Sequence, residues 1–123
     1  MGTKILLIDD DLEISAIIKD ALVGAGYQVE IWESGLNAMK TILACKLDLL
    51  LLDVMLPGID GYTLAMQITE NDATRDLPII VLSGLEPSEA MFQRFSQVKA
   101  FMTKPFTPED LLEKIAQVLA KKP

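Results

Sequence analysis

Residues 48–53 read Asp-Leu-Leu-Leu-Leu-Asp, the most apolar run of the chain, and this stretch decides the fold. A short continuous apolar run is typical of a strand that is buried on both faces of a parallel sheet. Because the run stops at Asp53, a carboxylate follows the carboxyl end of that strand. We therefore predict a central strand over residues 48–52 that presents an acid at the edge of a sheet.

Four further strands are predicted on either side of this run. Two of them are short apolar runs like the one at 48–53, namely residues 4–8 (KILLI) and 79–82 (IIVL). A third short strand is predicted over residues 100–103. Residues 27–32 (YQVEIW) alternate between polar and apolar side chains, which is the pattern of an edge strand.

Helical spacing of apolar residues predicts a helix after each strand. The five predicted helices cover residues 14–22, 36–43, 62–70, 87–95 and 107–119. The stretch at 24–26 (GAG) ends the first helix, and Thr107 followed by Pro108 and Asp110 is a strong start for the fifth. Strands that alternate with helices indicate one α/β domain over residues 1–123, a five-stranded parallel sheet between two helix layers.

Composition excludes several classes of protein. Half of the 123 residues are apolar and 24% are charged, so the chain is not intrinsically disordered. A net charge of −7 disfavours direct contact with nucleic acid, and no apolar run is long enough to cross a membrane. The chain has no histidine and one cysteine, Cys45, which excludes serine–histidine catalysis and zinc sites built on cysteine pairs. A cytoplasmic location fits this composition best.

Polar side chains collect where the predicted strands end. Asp9 and Asp10 follow the first strand, Asp53 the third, Ser83 the fourth and Lys104 the fifth. The carboxyl ends of parallel strands meet at one edge of the sheet, where such folds bind ligands. Acids crowded there repel one another, at about 4 kcal/mol for a close pair. Either an acid is protonated or a hard divalent cation neutralises the group, and all-oxygen ligands favour Mg²⁺ or Mn²⁺.

Each of these residues alone has a simpler explanation. An aspartate after a strand often only caps the next helix, and this is our interpretation of Asp11. For Asp10 alone, capping and function are equally good explanations, and Lys104 alone would be an ordinary surface lysine. The joint arrangement favours function, because an aspartate beside a divalent cation, a lysine and a hydroxyl can accept a phosphoryl group.

Four segments together resemble the receiver domain of bacterial two-component response regulators, such as the chemotaxis regulators. They are residues 5–11 (ILLIDDD), 48–61 (DLLLLDVMLPGIDG), 78–84 (PIIVLSG) and 104–106 (KPF). Each segment is weak evidence alone, but their order and spacing are specific, and the resemblance spans nearly the whole chain. It implies a flavodoxin-like, doubly wound fold with strand order 2-1-3-4-5.

The resemblance also implies the chemistry of the sheet edge. Asp53 would accept a phosphoryl group from the phosphohistidine of a histidine kinase. The side chains of Asp10 and Asp53 and the main-chain carbonyl of Met55 would hold Mg²⁺, and Asp9 would hold it through water. Mn²⁺ can substitute for Mg²⁺ at such a site.

A phosphorylation switch is implied by the same family pattern. Ser83 would move to hydrogen-bond one phosphoryl oxygen, and Lys104 would pair with another. Phe101, three residues before that lysine, would rotate inward into the vacated space. The Lys104–Pro105 bond would be cis, which an X-Pro bond tolerates. The signal would then appear on the face made by the fourth helix, the fifth strand and the fifth helix.

The implied partners are proteins. A sensor histidine kinase or a phosphotransfer protein would donate the phosphoryl group, and an unidentified output protein or domain would read the switch. A homodimer that forms on phosphorylation is an open alternative, whereas nucleic acid and membranes are not expected to contact this domain. Such a domain takes part in its own phosphotransfer and autodephosphorylation, but it is a signalling switch and not a metabolic enzyme.

One segment departs from the family pattern. Residues 95–101 (FSQVKAF) contain no glycine, whereas the family has a sequence like Ala-Gly-Ala-Asp-Asp-Tyr before the fifth strand. Ser83 and Lys104 are also 21 positions apart, about one fewer than usual. We expect the fourth helix and the output face to differ from the family, but not the acidic pocket.

Three other readings fit the sequence less well. A dehalogenase-like phosphatase needs Asp-x-Asp-x-Thr or Val after the first strand, but Glu13 stands in the last place and no cap domain fits in the chain. A flavodoxin is also disfavoured, because the three aspartates of this chain would stand where the phosphate of the flavin binds and would repel it. A receiver that keeps the fold but ignores phosphate usually lacks an acid or the lysine, and this chain has both.

Overall fold

The structure, a computed structural model, describes residues 3–32, 40, 42–43, 46–53, 61–83, 97–104 and 106–120, with the backbone alone at 61, 62 and 83. Its elements in chain order are β1 Lys4–Ile8, α1 Leu12–Gly24, β2 Gln28–Trp32, β3 Leu49–Asp53, α2 Gly61–Glu70, β4 Ile79–Ser83, β5 Val98–Thr103 and α3 Pro108–Ala120. The fourth predicted helix, and most of the second, lie outside the described residues. Among the helices described, none has the length and apolarity needed to traverse a bilayer.

The five strands form one parallel sheet in the order β2-β1-β3-β4-β5. This order confirms the flavodoxin-like winding that the family resemblance implies. The leucine run is the centre of the sheet, because β3 pairs with β1 on one side and β4 on the other, and Leu49 to Leu52 have no exposed surface. The alternating strand β2 is an edge strand, as its pattern predicts.

Helices cover both faces of the sheet and produce two separate apolar cores. One core joins alternate strand residues such as Leu50 and Leu52 to α2. The other joins the intervening residues, such as Leu49 and Leu51, to α1 and α3. Successive side chains of a strand point to opposite faces, so a fully apolar strand must be packed on both sides.

Local sequence signals set the helix ends. The Asp11 side chain accepts a hydrogen bond from the backbone N–H of Ile14 at 3.2 Å, which confirms Asp11 as the cap of α1. After α1 the chain turns through Gly26, whose φ of 99° favours glycine. Thr107 Oγ1 accepts from the backbone N–H of Asp110 at 3.0 Å and caps α3, again as predicted.

Two details differ from the sequence expectations. β5 begins at Val98 rather than at residue 100, and its register with β4 shifts between Ile79 and Ile80. In α1, the buried residues are Ser15, Ile18 and Leu22, whereas Ile14 and Ile17 of the apolar pattern are 37% and 58% exposed. Only one narrow stripe of a helix can face the sheet. Because α3 packs beside α1, that stripe holds Ser15, Ile18 and Leu22, and Ile14 and Ile17 remain partly exposed.

Candidate functional site

The strand register brings the predicted acids to one level of the sheet. Ile8 pairs with Leu52, so Asp9 and Asp53 follow at the same height on neighbouring strands. Both carboxylates are buried, with Asp9 0% and Asp53 6% exposed. Side chains alternate between the two faces of a strand, so Asp9 lies on the same face as Leu7, and Asp53 on the same face as Leu51. Both acids therefore lie on the side of the sheet that α1 and α3 cover.

Lys104 joins these two carboxylates. It follows β5 directly, and its Nζ donates to Asp9 Oδ2 at 3.1 Å and to Asp53 Oδ2 at 3.0 Å. The second oxygen of Asp9 accepts a hydrogen bond from the backbone N–H of Asp11 at 3.0 Å. One ammonium therefore ties the ends of three strands together at this edge of the sheet.

The surroundings of Lys104 favour its protonated, positively charged form. Burial by itself lowers the pKa of a lysine, because the ammonium loses hydration. Here the hydrogen bonds that Lys104 donates to Asp53 and Asp9, with the negative charge of both carboxylates, outweigh burial and raise its pKa above the ordinary value. Lys104 therefore stays a cation throughout the neutral pH range.

Asp10 completes a cluster of three acids whose formal negative charge exceeds the positive charge of Lys104. Carboxylate oxygens of Asp9, Asp10 and Asp53 lie within 4.8 Å of one another, and Asp10 is exposed where the other two are buried. The formal charge of three carboxylates and one ammonium is −2, which matches one divalent cation. A set of carboxylate oxygens also fits the ligand preference of Mg²⁺. The residues present therefore suit the metal that the family resemblance implies.

The remaining predicted site residues lie around this cluster or outside the described chain. Ser83 is the last residue of β4 and pairs with Thr103 of β5, so its backbone reaches the same edge. Phe101 pairs with Val81 and packs, half-buried, against the core on the α2 side. Met55 lies outside the described residues, as does Pro105, so neither the carbonyl ligand nor the cis bond is described.

Two features of the site were not predicted from the sequence. The backbone N–H of Asp11 orients Asp9, because the tight step from β1 into α1 turns it back toward that carboxylate. The exposed Ile14 and Ile17 line a cavity that Lys104 also lines, together with Phe106. The spacing of apolar residues in α1 gave no sign of this cavity, since spacing alone does not tell which apolar side chains stay at the surface.

The sequence comparisons give one family match for this chain. Residues 5–116 match the family described as response regulator receiver domain. The chain is 37% identical over 123 residues to the phosphate regulon transcriptional regulatory protein PhoB of Pseudomonas aeruginosa, covering 98% of this chain and 53% of that protein. It is 33% identical over 119 residues to the DNA-binding dual master transcriptional regulator RpaA of Synechocystis sp., covering 96% and 49%. The chain thus spans about half the length of these curated relatives.

Solved structures agree with the sequence matches. A putative response regulator from Chloroflexus aurantiacus superposes with a TM-score of 0.91 at 32% identity, covering 98% of this chain and 100% of that one. The receiver domain of sensor histidine kinase PA1611 from Pseudomonas aeruginosa superposes with a TM-score of 0.88 at 25% identity, covering 98% and 100%. That crystal structure has a magnesium ion coordinated in its active-site cleft.

Proposed function

Because the chain belongs to the response regulator receiver domain family, we propose that Asp53 accepts the phosphoryl group that switches this receiver on. The observation that carries the proposal is the position of Asp53, whose carboxylate ends the central strand and lies 3.0 Å from Lys104 Nζ. A buried carboxylate beside a fixed cation can act as a nucleophile while the cation stabilises the charge of the incoming group. The whole chain, residues 1–123, would act as one such domain.

Mg²⁺ is the metal that we assign to the acidic cluster. Asp10 and Asp53 would hold it through their side chains, Asp9 through water, and Met55 through its main-chain carbonyl. When bound, Mg²⁺ supplies positive charge that neutralises phosphoryl oxygens, and Mn²⁺ can do the same. The exposure of Asp10 suits this role, since a ligand at the surface leaves an entry path for the ion.

The transfer itself would be one displacement at phosphorus. A carboxylate oxygen of Asp53 forms a bond to phosphorus as the bond from phosphorus to the histidine nitrogen of the donor breaks. The electron pair of the broken bond returns to the imidazole ring, and the product is an aspartyl phosphate. Lys104 can keep its place, exchanging its contact with Asp53 for a contact with a phosphoryl oxygen.

The switch would follow from the new charge. A phosphoryl group adds a charge of about −1.5 to −2 and three acceptor oxygens beside Lys104. Ser83, at the end of β4, would move to donate to one of them, and Phe101 would turn inward on the neighbouring strand. The output surface would be the face made by the fourth predicted helix, β5 and α3.

The partners follow from this role. A sensor histidine kinase or a phosphotransfer protein would supply the phosphoryl group in the cytoplasm, and an output protein or a further domain would read the changed face. The relatives named above are transcriptional regulators about twice as long. This acidic domain, with a net charge of −7, would not itself contact DNA. It is a signalling domain that takes part in its own dephosphorylation.

Intact mass after incubation with acetyl phosphate tests the proposal. We expect a gain of one phosphoryl group with Mg²⁺ and none without it. The variant Asp53→Asn should gain nothing, and Asp10→Asn should need far more Mg²⁺. Asp11→Asn is the matched control, because asparagine also caps a helix and Asp11 lies outside the acidic cluster. No mass gain in a folded wild type would favour a receiver that ignores phosphate.

A further inference from the structure

Asp11 lies between the acidic cluster and the first turn of α1, and hydrogen bonds connect it to both. Its side chain accepts from the backbone N–H of Ile14 at 3.2 Å, and its main-chain carbonyl accepts from Ser15 N–H at 2.9 Å. Its own N–H donates to Asp9 Oδ1 at 3.0 Å. A short series of hydrogen bonds therefore leads from the helix to a buried carboxylate of the site.

The same bonds enclose Asp10. The bond from Asp11 N–H to Asp9 Oδ1 closes a turn whose middle residue is Asp10, and the helix cap holds the far side of that turn. Asp9 is fixed at its other oxygen as well, because Oδ2 accepts from Lys104 Nζ at 3.1 Å. Asp10 is exposed, so packing restricts it less than it restricts Asp9. The turn that Asp11 closes therefore sets the direction of the Asp10 carboxylate.

The first turn of α1 receives little support from packing. Leu12 and Ile14 are 52% and 37% exposed, and burial within α1 begins at Ser15. The opening N–H groups of a helix have no partner within the helix, and a turn with few buried contacts opens easily. The cap that Asp11 supplies therefore contributes much of the order in this turn.

We propose that Asp11 is a positioning residue for the divalent cation, because its cap on α1 holds the turn that directs the carboxylates of Asp9 and Asp10 toward the ion. The inference rests on the Mg²⁺ site of the proposed function. Asp11 would not itself be a ligand, since its Oδ1 accepts from the helix and it lies outside the cluster of three acids. Groups that orient metal ligands influence metal affinity in this way.

The cap and the ion would then be coupled in both directions. An ion that needs the ordered turn binds more weakly when that turn is open in part of the protein. By the same linkage, the bound ion stabilises the first turn of α1. A helix cap of ordinary strength corresponds to about fivefold in an equilibrium constant, which sets the scale of both effects.

Mg²⁺ titration without any phosphoryl donor tests the proposal. The shifts of backbone amide resonances give the dissociation constant for wild type, Asp11→Asn and Asp11→Ala. Both variants remove the same negative charge, but only asparagine still caps the helix. We expect Asp11→Ala to bind Mg²⁺ about fivefold more weakly than Asp11→Asn. The affinity of Asp11→Asn should stay close to that of the wild type, because salt screens an exposed charge.

Asn71→Ala is the matched control for a general loss of stability. Asn71 Oδ1 accepts from the backbone N–H of Ala73 at 2.9 Å in the loop after α2. This variant therefore also loses one exposed bond from a side chain to the backbone, but in the loop that leads to the amino end of β4. Its Mg²⁺ affinity should equal that of the wild type, although urea unfolding should show a loss of stability similar to that of Asp11→Ala.

Hydrogen exchange supplies a readout that a purely structural cap would not change. In the wild type, saturating Mg²⁺ should slow the exchange of the Ile14 N–H about fivefold, since the ion and the cap stabilise the same turn. Asp11→Asn should show the same slowing, because its asparagine accepts the same bond.

The possible failures are distinguishable. Equal Mg²⁺ affinities in Asp11→Ala and Asp11→Asn would overturn the inference and leave the cap with a structural role only. A similar loss of affinity in Asn71→Ala would attribute the effect to stability in general, and unchanged exchange at Ile14 would show that ion and cap are not coupled, so either result would also overturn it. Absence of Mg²⁺ binding to the folded wild type would instead contradict the metal site of the proposed function.

Discussion

The two ends of the central sheet both bury polar side chains, but they differ in charge. At the carboxyl end, Asp9 and Asp53 are buried around one ammonium, with Asp10 beside them. At the amino end of β4 and β5, the buried polar side chains are the neutral Gln97 and Thr74, 3% and 6% exposed. The comparison separates neutral polar groups that brace the fold from charged groups that form the candidate site.

At the amino end, the donors of the buried side chains bond to backbone carbonyls, whereas Gln97 Oε1 is buried with no hydrogen-bond partner among the described residues. Gln97 Nε2 donates to the main-chain carbonyl of Leu77 at 2.9 Å and to that of Thr74 at 3.3 Å, and the main-chain carbonyl of Gln97 accepts from Ile79 N–H at 2.8 Å. Thr74 Oγ1 donates to the carbonyl of Ile68 at 2.8 Å. These bonds join the loop after α2 to the start of β5, and neither Gln97 nor Thr74 carries a charge that an ion would have to balance.

The carboxyl end differs from the amino end because its polar side chains are charged. Carboxylates only accept hydrogen bonds, and one ammonium cannot offset the formal charge of three acids. In the function proposed above, this surplus of negative charge attracts a divalent cation, and the cation in turn attracts a phosphoryl group. The sheet is therefore braced by neutral hydrogen bonds at one end and carries an excess of formal negative charge at the other.

The largest expected effect is the loss of the shared cation. In Mg²⁺-free buffer, Lys104→Met should lower the free energy of unfolding by about 2 to 3 kcal/mol, because two buried carboxylates lose their common partner. Urea unfolding followed by circular dichroism measures it. The control Lys19→Met, at an exposed position of α1, should change stability by less than about 0.5 kcal/mol. If Lys104→Met and Lys19→Met lowered the free energy of unfolding equally, the charged end of the sheet would not depend on Lys104.

A smaller effect is expected at the neutral end. Gln97→Ala should cost about 1 to 2 kcal/mol in the same assay, because the carbonyls of Leu77 and Thr74 lose a buried donor. Phosphorylation of Asp53 should be unchanged, since Gln97 lies at the other end of the strands. Gln28→Ala, an exposed glutamine on β2, should have almost no effect. A loss of phosphorylation in Gln97→Ala would show that the two ends are coupled.

The smallest expected effect is a pH dependence confined to the charged end. The stability that Lys104 confers is fully present below the ordinary lysine pKa and is lost as the pH rises through its raised pKa in the folded protein. The difference in stability between wild type and Lys104→Met should therefore be constant from pH 7 to 9. It should shrink above about pH 10.4, the pKa of an unperturbed lysine. A difference that already shrinks between pH 7 and 9 would contradict this assignment.

The segment that departs from the family pattern supplies the anchor of the neutral end. The sequence lacks a glycine before β5, and the structure has a buried glutamine at position 97, followed by a register shift that lets β5 start at Val98. The sequence could flag this departure but not its purpose, because the carbonyls that Gln97 contacts lie about 20 residues earlier in the chain. The expectation that the fourth helix differs stays a prediction, since residues 87–95 lie outside the described part.

The sequence by itself determined the strands, their acidic ends and the helix caps. These depend on short-range physics: an unbroken apolar run such as 49–52 must be buried, and Asp11 and Thr107 cap helices a few residues away. Only the tertiary structure decided that Asp9 and Asp53 share Lys104 while Asp10 stays exposed, and that Ile14 and Ile17 line a cavity. Those outcomes depend on the register between strands and on the angle at which α1 packs beside α3, and neither is encoded in any local pattern.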